Sequence, residues 1–264
     1  MKNKIFGWTY AMLVFIFLYT PIIVLALMSF NKSRYNTLPF NFSMKWYLEL
    51  FNDTKLINAA ANSVYIAFIT AIICVVLGTA LMLGIPEGRK KVSNMVNSIV
   101  LMPLTIPWII MGLSLLLFLM KLGLNKNLFI LIIGHVIISL PYAALVIGAR
   151  ISDMDKSIEE ASYSLGANEW TTFRRITLPA ILPAVIAGGF LSFMISFDNF
   201  VISYFLIPTG NSTLPIEIYS SIKFGFTPEI NVVATIILVV SLAIIILIAL
   251  LMQSSLKNIF RRKA

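Results

Sequence analysis

The stretch that decides the fold reads Glu160-Ala161-Ser162-Tyr163-Ser164-Leu165-Gly166 and, nine residues further on, Ile176-Thr177-Leu178-Pro179. It lies in a segment from Arg150 to Leu182 that is too polar to enter lipid and too patterned to be a tether. Ser157 and Glu160 have the S-x-x-E spacing of a capping box, which predicts a short helix starting there. Gly166 fits the left-handed position that closes such a helix. Asn168 can cap a second helix. Pro179 predicts its end near Leu178, because proline disfavours helix in the residue before it. Ile158, Ala161, Leu165, Trp170, Phe173 and Ile176 give this helix–turn–helix more apolar surface than a solvated loop carries, so part of it must pack on the rest of the chain or on a partner.

Outward from this segment the chain turns apolar in both directions. Of 264 residues, 59% are hydrophobic and 12% are charged, against about 25% charged in an average soluble chain. A soluble domain of this length cannot bury so much apolar surface. Lipid is the solvent that fits. Six runs reach the ~20 apolar residues a spanning helix needs: Trp8 to Phe30, Asn62 to Leu83, Asn97 to Met120, Leu128 to Ala149, Pro183 to Ile207 and Ile230 to Met252. The expected fold is therefore an all-α integral membrane protein with six transmembrane helices. The first run has no small-residue cleavage pattern after it and reads as a retained span that also targets the chain.

An even number of spans puts both termini on one side. Lys2, Lys4, Arg89, Lys90, Lys91, Arg150, Lys156, Arg174, Arg175, Lys257, Arg261, Arg262 and Lys263 fall on that side. Lys32, Arg34, Lys45, Lys55, Lys121, Lys126 and Lys223 fall on the other. Basic residues concentrate on the cytoplasmic face, so both termini and the 150–182 segment are expected inside. The net charge of +9 is thus a topology signal, and no nucleic-acid surface is needed to explain it. The single cysteine, Cys74, supports neither a disulfide framework nor a cysteine-based metal site.

The spacing E-A-S, three residues, G, nine residues, I-x-L-P resembles the EAA loop of ABC importer permeases. Every interval agrees. Ser162 stands where the family has a second alanine. The location agrees too, just before the penultimate span. The resemblance implies a type I, MetI-like permease core, with residues 1–61 as a first span plus external segment, 62–252 as the core holding the coupling loop 150–182, and 253–264 as a basic tail. It further implies that Glu160, Ala161, Ser162, Gly166, Ile176, Leu178 and Pro179 couple the chain to a dimer of separate ATPase subunits. The chain has no G-x-x-x-x-G-K-[ST] phosphate loop. ATP and magnesium therefore belong to that partner, and no cofactor is expected on this chain. A second homologous permease, an extracytoplasmic substrate-binding protein and the lipid bilayer complete the implied surroundings, in a bacterial inner membrane. The chain is expected to be a transport subunit and not an enzyme.

Softer stretches resemble the polyamine permeases of this family: Tyr19-Thr20-Pro21-Ile22-Ile23, Ser29 to Arg34, Lys45-Trp46-Tyr47, Leu191-Ser192-Phe193 leading to Asp198, and Leu214 to Ser220. A polyammonium substrate calls for carboxylates and aromatic faces. Asp198 is the only acidic residue placed inside a span, with Phe197, Phe200, Tyr204 and Phe205 nearby. An intramembrane carboxylate defaults to a functional role. Ser192, Ser196, Asn199 and Ser203, spaced 4, 3 and 4, form one stripe on a helix. That stripe is open to two readings, helix packing or path lining. Trp108 and Trp46 are further path candidates, although Trp46 also suits an interfacial anchor.

Other features pull away from a polyamine. The external loops carry the seven basic residues named above against Glu49, Asp53, Glu217 and Glu229. Trp108 and Asn199 stand where polyamine permeases carry acidic residues. A permease for iron, thiamine or a sulfate-like anion is the alternative within the family, and a secondary transporter the alternative outside it. A secondary transporter would need its own coupling-ion site, often on inverted repeats, and no repeat is evident. His135, the only histidine, reads as a hydrogen-bonded packing residue. Pro103 and Pro107 predict a kink or break in the third span. Lys45 to Ala61 suits an interfacial amphipathic helix, and Ile216 to Lys223 a short ordered piece in the last external loop.

The charge bias makes a direct prediction. A reporter fused after Ala264 reads as cytoplasmic and one inserted near Asn211 as external. A topology-sensitive alkaline phosphatase and fluorescent-protein pair checks it, and an external C-terminus overturns the assignment of the coupling loop.

Overall fold

The computed structural model describes residues 2–35, 37–85, 90–225 and 228–261, with side chains for 6–35, 37–85, 91–225, 228–244 and 246. Arg89, Arg262, Lys263 and Ala264, and the side chains of Lys2, Lys4, Lys90, Lys257 and Arg261, lie outside the described residues. Among the described residues the secondary structure is helical, with one isolated bridge between Asn31 and Phe42. The helices are α1 (Lys2–Met28), α2 (Lys45–Asn52), α3 (Thr54–Leu83), α4 (Lys90–Leu101), α5 (Trp108–Lys121), α6 (Leu128–Ser152), α7 (Ser157–Ser164), α8 (Glu169–Thr172), α9 (Leu178–Phe197), α10 (Phe200–Leu206), α11 (Leu214–Phe224) and α12 (Glu229–Arg261).

Phe6–Met28, Thr54–Leu83, Leu128–Ser152 and Glu169–Phe197 are each long and apolar enough to cross a bilayer. Lys91–Thr105 and Trp108–Lys121 meet at a bend of 102° and together match the third expected span. The sixth expected span falls in α12, of which Glu229–Ile244 is the described apolar part.

The third span breaks for a local reason. Pro103 opens a 3₁₀ turn, Met102–Thr105. Ile106, forced extended by the proline after it, has φ −95° and ψ 127°. Pro107 then starts α5, where its missing N–H costs nothing.

The fifth span departs from expectation at both ends. It was read as one helix from Pro183 to Ile207, after a second loop helix that stops near Leu178. In the structure α8 runs through a π-helical turn, Phe173–Thr177, straight into α9. Pro179 sits in the first turn of α9 and does not stop it. The wider π turn rearranges the i→i−4 pattern that proline would otherwise disrupt. At the far end the helix stops at Phe197 and restarts at Phe200.

The second span also starts earlier than expected. Asp53 ends α2, and its carboxylate accepts the Lys55 and Leu56 amides that open α3. The expected amphipathic helix therefore covers only Lys45–Asn52.

Two compact units make up the chain. In the first, Met1–Ile57 with Ile218–Ala264, α1 and α2 both pack on α12. The segment between its α1 and α2 is organised by Asn31, whose side chain donates to the Thr37 carbonyl and accepts from the Ser33 and Asn41 amides. The second unit is Asn58–Glu217. Its core joins Ile66 of α3, Met111 and Leu119 of α5, Leu131, Ile132 and Ile138 of α6, and Ile202 and Leu206 of α10. The closest seat is at Gly134. A Cβ there would lie 2.6 Å from Leu206 Cδ1 and 2.9 Å from Ile202 Cγ2, and both side chains are fully buried. Overpacking of a tight core costs about 1–3 kcal/mol. Gly134→Ala is therefore expected to lower the unfolding midpoint of the detergent-purified protein by several degrees, whereas Gly7→Ala, with no atom within 4 Å, leaves it unchanged.

Candidate functional site

In the 150–182 segment a turn at Asp155 precedes α7. The Ser157 N–H donates to Asp155 Oδ1 at 3.0 Å, and Ser157 is already helical. The expected capping box does not form: Ser157 is the first helical residue, and the flanking Lys156 makes no side-chain cap bond. The Ser157 hydroxyl and amide together hold the Asp155 carboxyl below the usual carboxylate range. At the other end of α7, Gly166 has φ +84°, a left-handed value that glycine adopts freely. The Gly166 N–H reaches the Tyr163 carbonyl and the Ala167 N–H reaches Ser162. Asn168 caps α8 by accepting the Thr171 N–H at 2.8 Å. Both of these turn residues stand where expected.

The helical hairpin is built inside out. Its buried groups are hydroxyls: Ser162, Thr172 and Thr177. Ser162 Oγ lies 2.9 Å from Thr172 Oγ1, and the Thr177 hydroxyl donates to the Glu159 carboxylate. Its apolar residues face outward instead. Leu165 is 89% and Trp170 66% exposed, and Ile158 and Tyr163 are exposed as well. The rings of Trp170 and Phe173 are 5.7 Å apart. Glu160, Ala161 and Pro179 are exposed, whereas Ile176 and Leu178 are half-buried. Glu159, Thr172 and Thr177 were not singled out from the sequence. Glu159 and Thr177 are eighteen residues apart, a separation with no local signature. A cavity of about 820 Å³ lies alongside, walled by the ends of α3 and α6, by α4, and by Lys156, Glu159 and Thr177.

The path candidates do not form one cluster. Asp198 caps the end of α9 and is exposed. Asn199 is 1% exposed, extended, and accepts the Ile202 N–H at 2.7 Å as the N-cap of α10. Its place in an apolar run suggested a helical stripe; the cap role of asparagine was the signal passed over. Its Nδ2 is buried with no hydrogen-bond partner among the described residues. Ser192, Ser196 and Ser203 are buried. Ser192 Oγ donates to the Ser139 carbonyl at 3.3 Å. Ser196 and Ser203 both meet His135, the packing role expected of that histidine.

Trp108 opens α5 and is partly exposed. Trp46 is buried; its Nε1 donates to the Asn31 carbonyl at 2.7 Å, and the Lys45 ammonium lies 4.6 Å from its ring centre. The aromatic groups on either side of Asp198 pair along their own helices, Phe193 with Phe197 and Phe200 with Tyr204. Among the described residues no cluster of His, Cys, Asp or Glu is placed to hold a metal ion.

Long apolar helices, one pair of them sharply bent, together with a polar-cored helical hairpin define a multi-pass membrane component. The chain belongs to the family of binding-protein-dependent transport system inner membrane components, whose model matches residues 78–262. It is 39% identical over 242 residues to the spermidine/putrescine transport system permease protein PotC of Haemophilus influenzae, covering 92% of this chain and 94% of that one. It is 38% identical over 234 residues to the putrescine transport system permease protein PotI of Escherichia coli, covering 86% and 83%. In fold it is similar to a chain of a bacterial ABC transporter that imports the acidic polysaccharide alginate, with a TM-score of 0.65, 20% identity, and coverage of 96% and 97%.

The Ser162–Thr172 pair predicts a non-additive outcome. Ser162→Ala strands a buried hydroxyl, at a cost of about 1–3 kcal/mol. Adding Thr172→Val removes the stranded group and recovers most of that loss. Thermal unfolding of the two variants and wild type checks this, and equal losses in the single and double variants contradict it.

Proposed function

We propose that this chain is one permease subunit of an ATP-driven importer of spermidine and putrescine. The similarity to PotC and PotI over most of the chain supports the substrate class. The observation that carries the coupling role is the inverted hairpin. Hydroxyls hold it together from within, and Leu165, Trp170, Ile158 and Tyr163 are left outward. An apolar knob on a polar loop fits a groove on a soluble partner. The partner is an ATPase dimer that supplies ATP and magnesium, engaged through Glu160, Ala161 and Gly166, with Ser162 supporting that surface from within the hairpin. Ile176, Leu178 and Pro179 carry its movement into α9. A second homologous permease completes the path, and an extracytoplasmic binding protein delivers the substrate. Residues 62–252 act as the transport core, 1–61 and 253–264 flank it, both termini face the cytoplasm, and the chain itself catalyses no reaction.

Asp198 is the residue this reading needs most. It sits at the helix break, where α9 ends and the carboxylate is exposed. Asn199, Ser192, Ser196 and Ser203 shape the break from its buried side, and Trp108 offers a ring face elsewhere, whereas the Trp46 ring is buried and already faces Lys45. An ion pair in a poorly hydrated path contributes several-fold more than a surface pair of about 0–1 kcal/mol. Asp198→Asn keeps the shape and removes the charge. It is expected to reduce radiolabelled spermidine uptake by the complete system more than tenfold at unchanged membrane levels, with Asp198→Glu partly active. Uptake near wild type in Asp198→Asn overturns the ion-pair role.

A further inference from the structure

We propose that His135 is the positioning residue for the break in the fifth span, holding its two halves in register with a single imidazole. The proposal rests on the transport reading above for its uptake arm only. His135 is 1% exposed and lies on α6. Its Nδ1 is 2.9 Å from Ser196 Oγ, on α9 before the break. Its Nε2 is 3.1 Å from Ser203 Oγ, on α10 after the break. The two serines lie on opposite sides of Asp198 and Asn199, where the backbone leaves the helix.

A helix break removes the continuous hydrogen-bond ladder that would otherwise fix one half relative to the other. Something else must set that relation. An imidazole is rigid and offers two hydrogen-bonding nitrogens on different ring edges. A serine hydroxyl can donate or accept, so either tautomer satisfies both contacts. The neighbouring Gly134 brings α10 so close to α6 that Ile202 and Leu206 fill its Cβ position. That packing holds α10 in depth. The histidine adds direction, because it ties α9 to the same point of α6. Asn199 reinforces the arrangement by capping α10 through Ile202. The consequence is that the exposure of Asp198 is set from a residue sixty-odd positions earlier in the chain.

Substitutions can separate the two bonds. His135→Asn keeps a polar atom near Nδ1, His135→Gln keeps one near Nε2, and His135→Leu keeps neither. The first readout needs no substrate. Asp198→Cys is placed in a Cys74→Ala background, and maleimide labelling is followed in membranes containing the full transporter. His135→Leu is expected to change the labelling rate at least fivefold. In the Asn background Ser196→Ala changes it further and Ser203→Ala does not; in the Gln background the pattern reverses.

The second readout is spermidine uptake with Asp198 intact. His135→Leu is expected to raise KM about tenfold with Vmax within twofold, and the Asn and Gln variants fall between. Labelling that ignores His135, or serine effects that are the same in every background, overturns the proposal. A loss of Vmax with unchanged KM overturns it too. Absence of spermidine uptake in the wild-type system instead overturns the substrate assignment, and the labelling experiment still decides the role of His135.

Discussion

Within a bilayer, a backbone carbonyl that loses its helix partner has no water to replace it. Each interruption of a span must therefore be repaired by the protein around it. Among the described residues the apolar helices are interrupted at Ile106–Pro107 and at Asp198–Asn199, and the packing nearby serves those sites. The Thr105 hydroxyl turns back to the Met102 carbonyl at the first. At the second, Asp198 N–H still closes the end of α9 onto Met194, and the Asn199 side chain opens α10. Glycines on α5 and α6 let the short helix after the second break press in closely. The Gly112 position faces Phe205, and the Gly134 position faces Leu206 and Ile202.

The hairpin of α7 and α8 inverts the usual order: it keeps hydroxyls inside while turning apolar groups out. Ser162 stands where the resembled loop has alanine, and it has a structural partner: its hydroxyl meets Thr172 in a buried contact. An alanine at position 162 would leave that threonine without its mate. The departure is thus a matched pair, and the serine cannot be judged apart from the residue ten positions later.

How much of this could be read from the chain depends on the range of the interaction. The spans were legible because lipid selects on composition and length alone. The bend in the third span was legible because Pro103 and Pro107 act on their immediate neighbours. Gly166 and Asn168 were legible for the same reason. The Asp155 turn was missed because Ser157 supplied a plausible cap at the right spacing, whereas in the structure Ser157 is already helical. The π turn was missed because proline at 179 is compatible with a stop or a start, and the preceding turn decides between them. The partners of His135 lie 61 and 68 residues away and leave no mark in local sequence. Asn199 was misread for a subtler reason: a cap and a stripe can occupy the same spacing.

One helix runs without interruption from Glu169 to Phe197. Its 29 residues make a rod of ~43 Å at 1.5 Å per residue. One end lies in the α7–α8 hairpin and the other at Asp198. A rod of this length has the geometry of a lever: swung by about 10° around its hairpin end, it would carry the Asp198 end through ~7 Å, more than the rise of one helical turn. A modest rotation at the hairpin would thereby be magnified at Asp198, with no residue in between having to change its neighbours along the backbone.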